Sequence, residues 1–243
     1  EGTGVSSDGD YIAVVHRTSP FFTLLNHTTP GSVSLAATYT LSGIGNGCSF
    51  SPNNSYIAVC HATSPYFTLL NHSSGSVSLA TTYTLAGNPG VGNHTAWSPN
   101  GSYIACAHSG GGGLGPPPGP GFTLLNHSSG SVSLADTYTV SSFSNNTSVD
   151  FTSDGNYIAT GFGESPRFDV LDHTTAGSVS LASSYTLSGI CDVVQFSSDD
   201  KYVATGDRSN DLTILSHSSG SVSFVVKHTG ASDISGLAWV PLP

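Results

Sequence analysis

The side chains able to do chemistry in this 243-residue sequence are repeated along the chain rather than gathered at one place. Among its ten histidines, His16, His61 and His108 each end a Tyr-Ile-Ala run, and the same place further along holds Phe162 and Asp207. A second set, His27, His72, His127, His173 and His217, recurs inside Asn/Asp/Ser-His-Ser/Thr-Ser/Thr. Such sets could gather around a metal, but a residue present in every copy ordinarily answers a need that every copy has. The expected role is to tie a turn through imidazole hydrogen bonds. Cys48, Cys60, Cys106 and Cys191 lack metal-ligand spacing. Cys48 and Cys60 flank one hairpin and could be bridged if their side chains face each other; the other reading is four small buried thiols. Asp207-Arg208-Ser209-Asn210-Asp211, with Asp192 nearby, offers oxygen ligands for calcium but matches no complete calcium loop, so a solvated turn is expected. There is no Ser/His/Asp order on strand ends, no phosphate-binding Gly loop and no credibly spaced carboxylate pair. The sequence therefore gives no catalytic, cofactor-binding or metal residue, and a non-enzyme is expected.

The elements that would position these residues follow from an internal repeat. Tyr11, Tyr56, Tyr103, Tyr157 and Tyr202 mark five copies, divided approximately as 6–50, 51–97, 98–151, 152–196 and 197–243. In the clearest unit, Ser51-Pro52-Asn53-Asn54 suits a tight turn between an apolar strand ending in Phe50 and the Tyr-Ile-Ala strand. Phe67-Thr68-Leu69-Leu70 reads as a third strand. Val77, Leu79, Tyr83 and Leu85 alternate with Ser and Thr in a fourth, predicting one half-buried apolar face. Four strands in a repeat of some forty residues predict an all-β fold, a five-bladed propeller forming one domain over 1–243. Leu237-Ala238-Trp239 aligns with Thr95-Ala96-Trp97, an inner strand. Ile234–Trp239 is expected to close the ring by completing the first blade, with donation to a neighbouring molecule as the alternative.

The order of these segments resembles the tryptophan-aspartate (WD) repeat family of propellers. It runs from an apolar strand ending in Phe or Trp through a Ser-Pro-Asp-Gly-like turn, Tyr-Ile-Ala, Phe-Thr-Leu-Leu-Asn/Asp and a strand ending Thr-Leu-x-Gly. The resemblance covers essentially the whole chain and implies four-stranded blades. Leu-Asn or Leu-Asp stands where that family usually has Trp-Asp, and its Gly-His pair is missing.

Composition points to a setting. Five Lys plus Arg face fifteen Asp plus Glu, a net charge of −10, which argues against nucleic acid or an anionic membrane as partner. No apolar run is long enough to span a bilayer, no signal peptide is recognised, and no membrane insertion is expected. The chain lacks Met and starts in mid-pattern, as a processed product or a segment of something longer would. Asn-x-Ser/Thr acceptors occur at Asn26, Asn53, Asn71, Asn93, Asn100, Asn126, Asn145 and Asn146, all in the weakly charged part of the chain. Asn26, Asn71 and Asn126 take the same point of successive repeats, from which glycans could project. One insertion departs from the repeat: a Gly run leading to Leu114, Pro116, Pro117, Pro118 and Pro120, suited to a docking loop or to a surface loop without a task. The expectation is a secreted or cell-surface, N-glycosylated, non-catalytic structural or adhesive module. Its partners would be itself, another surface protein or glycans, and no cofactor is implied. The alternatives are a lectin-like propeller with multivalent sugar pockets and a viral or phage surface protein.

Overall fold

The computed structural model describes residues 2–86, 91–109, 119–139, 146–230 and 232–239. Five four-stranded antiparallel sheets follow one another along the chain. The first holds β1 (Gly2–Val5), β2 (Tyr11–Val15), β3 (Phe21–Asn26) and β4 (Ser34–Thr40). The second holds β5 (Gly45–Phe50), β6 (Tyr56–His61), β7 (Tyr66–Ser73) and β8 (Ser76–Thr84). The third is β9 (Gly92–Trp97), β10 (Tyr103–His108), β11 (Phe122–Ser128) and β12 (Ser131–Tyr138). The fourth is β13 (Asn146–Phe151), β14 (Tyr157–Phe162), β15 (Arg167–Asp172) and β16 (Ser180–Thr186). The fifth is β17 (Cys191–Phe196), β18 (Tyr202–Asp207), β19 (Asp211–Ser218) and β20 (Ser221–Thr229). This is the expected propeller of five blades. Each blade begins one strand earlier than the sequence repeat does, because the apolar strand ending in Phe or Trp pairs with the Tyr-Ile-Ala strand that follows it.

The turn between the first two strands is built as its residues require. Ser51 Oγ accepts from the Tyr56 amide and donates to Asn53 Oδ1, and the fourth position, Asn54, has φ 58°. The equivalent residues are Gly9, Gly101, Gly155 and Asp200, all of positive φ, a conformation open to Gly and tolerated by Asn and Asp.

Consecutive blades bury apolar faces against each other. Ala13, Val15, Phe22 and Leu24 of the first blade pack on Ile57, Val59 and Leu70 of the second, and the same arrangement recurs at the next three interfaces. A ring-to-ring staple joins each pair. Tyr11 meets the edge of His72 at 4.7 Å, Tyr56 meets His127 at 4.7 Å, Tyr103 meets His173 at 4.8 Å and Tyr157 meets His217 at 5.2 Å.

Two expectations are corrected by register. The fourth strand does not keep one apolar face: Leu69 pairs with Thr81 and Leu70 with Leu79, so Ala80 bulges out of the ladder. Val77 then packs toward the first blade, Tyr83 and Ala80 toward the third, and Leu79 is exposed, as are its equivalents Leu35, Leu134, Leu181 and Phe224. Nor does Ile234–Trp239 complete the first blade, because the fourth strand of that sheet is β1, from the chain's own start. Residues 233–239 form no strand and lie against the fifth blade. The Ile234 amide faces the Asp207 carbonyl at 3.5 Å, and Trp239 Nε1 donates to Gln195 O at 3.1 Å.

Candidate functional site: the central channel

The first strand of each blade faces a common channel, so its side chains are the ones that converge. At one mouth Asn46, Asn93, Thr147 and Asp192 take equivalent places. Asn46 Nδ2 donates to Gly92 O at 2.8 Å, Asn93 Nδ2 to Asn146 O at 2.6 Å, and Thr147 Oγ1 to Cys191 O, stepping from blade to blade. With Arg17, Arg208 and Ser235 these residues line a cavity of about 480 Å³. Arg208 Nε reaches both carboxylate oxygens of Asp192, at 3.0 and 2.9 Å, which raises the guanidinium's pKa further.

Toward the other mouth lies a second cavity of about 480 Å³, bordered by Ser49, Thr95, Trp97, His94, Asp150 and Gln195. Asp150 stands where the other blades have Gly4, Ser49, Ala96 and Gln195. Its Oδ1 accepts from the Phe151 amide at 3.0 Å and its Oδ2 from the Phe196 amide of the next blade at 2.8 Å. Both bonds favour the carboxylate, yet burial outweighs them and pushes the pKa up to about 7. His94 has its pKa lowered by burial, which holds the imidazole neutral, and its Nδ1 has no partner. Gln195 Oε1 is likewise buried and unpartnered. The cavity thus gathers one acid poised near neutrality and two unused acceptors, a lining that suits a ligand rich in hydroxyl donors. Trp97 adds an indole wall and fixes its own Nε1 on Ser49 O at 3.1 Å.

None of these three residues stands out in the sequence by motif. The available signal is departure from the repeat: Asp150 and Gln195 replace small residues on the inner strand, and His94 replaces the place of Gly47.

The residues that the sequence did single out are dispersed. His16, His61 and His108 bond Thr23, Thr68 and Thr123 across their own hairpins at 3.0, 3.0 and 2.8 Å. Burial lowers the pKa of His61 and of His108 to about 4. In the second set Nδ1 meets a carbonyl of the first turn, from 2.6 Å for His72 with Asn54 to 3.1 Å for His27 with Gly9, so both sets anchor loops. Cys48 and Cys60 are buried free thiols. Cys48 lies opposite Val59 and Cys60 opposite Gly47; this one-residue offset sends the two side chains to opposite faces of the sheet. A bridge between them is therefore excluded in this fold. The oxygens of the 207–211 turn and of Asp192, weighed as calcium ligands, are engaged within the protein. Asp207 accepts from the Gly189, Ser209 and Asp211 amides, Asp211 holds Lys227 and Thr229, and Asp192 holds Arg208. Among the described residues no group of three or more His, Cys, Asp or Glu could hold a metal.

Of the acceptor asparagines, Asn26 folds back on Thr28, and half-buried Asn71 and Asn126 bond Ser78 and Ser133 on the neighbouring strand. Asn53 and Asn100 sit in first turns, Asn93 borders the channel, and Asn146 is enclosed against Thr160. Asn145, Leu114, Pro116, Pro117 and Pro118 lie outside the described residues; Pro120 is half-buried.

No family model matches the chain. No curated protein matches it in sequence. Solved structures do match in fold. A protein from Lactobacillus plantarum superposes with a TM-score of 0.79 at 15% identity, over 95% of this chain and 72% of its own. A provisionally named 6-phosphogluconolactonase from Bacteroides uniformis gives 0.68 at 12% identity, over 96% and 86%. The periplasmic gluconolactonase of Pseudomonas aeruginosa gives 0.62 at 14%, over 100% and 88%. These likenesses bear out the propeller; the finer kinship with WD repeats has no family match behind it. They also overturn the expectation of a non-catalytic adhesive or filament-forming module, because two of the matched structures carry the names of lactonases. The expectation of a non-enzyme is corrected on the same two names.

Proposed function

We propose that the chain is a hydrolase of sugar lactones working in the channel around Asp150. The observation that carries this reading is the convergence of Asp150, His94 and Gln195 on one cavity, and the lactonase names of proteins with the same fold favour it. Deprotonated Asp150 takes a proton from water as the water oxygen bonds to the lactone carbonyl carbon. The ring C–O bond then breaks, and the leaving ring oxygen receives that proton to become a hydroxyl, leaving a hydroxy acid. His94 Nδ1 and Gln195 Oε1 accept from sugar hydroxyls, and Trp97 covers the sugar's apolar face. The working place is an exported one, a reading favoured by the periplasmic neighbour and by the repeated acceptor triplets at Asn26, Asn71 and Asn126. The Tyr-Ile-Ala and Thr-Leu-x-Gly pattern supports a WD-like origin for the blades.

The test is glucono-δ-lactone hydrolysis, corrected for the spontaneous reaction, as a function of pH. The rate constant rises through about pH 7 and levels off above it, and Asp150→Asn lowers kcat by about 10²–10⁴-fold with the fold intact. Equal activity in the variant rejects the assignment.

A further inference from the structure

The four made interfaces show what a covered blade face looks like, and one face of the first blade does not match them. Ile57, Val59 and Leu70 are fully buried under the first blade, and Ile104, Cys106 and Leu125 under the second. Their equivalents on the first blade, Ile12, Val14 and Leu25, are only half-buried. Val5 is 59% exposed, whereas Phe50, Trp97, Phe151 and Phe196 at the same place range from 9% down to 6%. The staple is missing too. Among the described residues His27 makes no ring contact of the kind that Tyr11 gives His72, and Tyr202, whose equivalents all cover a histidine, is 39% exposed. Had the fifth blade closed directly on the first, Tyr202 would stack on His27.

The opposite side of this seam is already begun. Ile234 sits where an added Cβ on Gly206 would meet it at 2.6 Å, as Cys191 sits against Gly161, and as the inner-strand Gly92 and Gly45 sit against Cys60 and Val15. Trp239 repeats on Gln195 the bond that Trp97 makes on Ser49, at the same 3.1 Å. Ile234–Trp239 therefore takes the place of a further blade's inner strand. This chain spans 72% and 69% of two matched structures and 86% and 88% of two others, so each of them is longer, by about one to two blades of this size.

We infer that the open face formed by Val5, Ile12, Val14, Leu25 and His27 is the seat of a further blade of the same repeat, carried on the same polypeptide. Its second strand brings a Tyr onto His27, and its small and aromatic residues cover Ile12 and Leu25.

The experiment compares Ile12→Ser with Ile57→Ser in the 243-residue chain, with light scattering on both, and then repeats the pair in a chain bearing an added copy of residues 146–188 ahead of Gly2. In the unextended monomer Ile57→Ser lowers the urea midpoint and Ile12→Ser leaves it nearly unmoved; in the extended chain both lower it, and binding of an apolar dye falls. An Ile12→Ser effect equal to Ile57→Ser in the unextended monomer means that the fifth blade closes the ring, and it overturns the proposal. The same equality in a concentration-dependent dimer assigns the face to a second copy and overturns it as well. Should the extended chain not fold, the mass of the polypeptide isolated from its source decides: a value larger by at least one repeat supports the inference, and 24.8 kDa refutes it.

Discussion

The sharpest quantitative consequence concerns Asp150 and pH. Its carboxyl holds a proton in the folded chain up to about pH 7, whereas the unfolded chain releases it near 3.8. Between those values the native state binds more protons, so stability falls as pH rises and the penalty is complete above the folded pKa. At about 1.4 kcal/mol per pH unit the fall from pH 5 to pH 8 is at most about 3 kcal/mol. The carboxylate borders the channel, and solvent there screens it, so about 1.5–3 kcal/mol is expected. The assay is urea unfolding of the wild type and of Asp150→Asn at pH 5, 6.5 and 8. The difference between the two chains isolates this group, since all other titrations are shared. The variant gains on the wild type by the stated amount between pH 5 and 8. A difference that stays flat across that range would show that Asp150 titrates normally, and the acid–base role proposed for it would go with it.

The buried histidines act in the opposite direction. His61 and His108 titrate at about 4 when folded and near 6.5 when unfolded, so their contribution is present above pH 6.5 and is lost as pH falls toward 4; His61→Gln flattens the acid limb of a stability profile. Phe168→Ala removes a fully buried ring between the fourth and fifth blades and costs about 3–5 kcal/mol by denaturant titration. His72→Ala breaks both the bond to Asn54 O and the contact with Tyr11, a loss of about 2 kcal/mol that Tyr11→Ala does not double when the two are combined. If the chain passes through a glycosylating secretory route, Asn71 and Asn126 carry glycans and enclosed Asn146 does not, which peptide mass mapping after glycan removal reads directly.

The blades were legible because their signals are local. The Tyr-Ile-Ala strand, the positive-φ turn residue and the Phe-Thr-Leu-Leu strand each declare themselves within a few residues, and fivefold repetition averages out the noise. Features that depend on register or on a neighbouring blade carry no such local signal. Nothing near Ala80 announces that it leaves the ladder, so Leu79 was placed inside. Cys48 and Cys60 looked well placed for a bridge until parity in the hairpin put them on opposite faces. Asp150 reads as a lone acid in Ser-Val-Asp-Phe; its raised pKa comes from burial among neighbouring blades, which outweighs the opposing bond from the Phe196 amide of β17, 46 residues away. The enzyme reading was out of reach for the same reason, since His94, Asp150 and Gln195 belong to three blades and share no motif.

The repeated tyrosine–histidine staple has a thermodynamic corollary. Every staple couples one blade to the next and to no other, so the molecule behaves as a short linear array of coupled units whose stability sums intrinsic and nearest-neighbour contributions. A substitution in the third blade weakens two couplings, and the same change in the first weakens one. Amide exchange should therefore grade along the chain, slowest in the middle blades and fastest at the two flanking ones. Lengthening the array by one blade should slow the exchange of the blade next to the addition and leave the far one as it was.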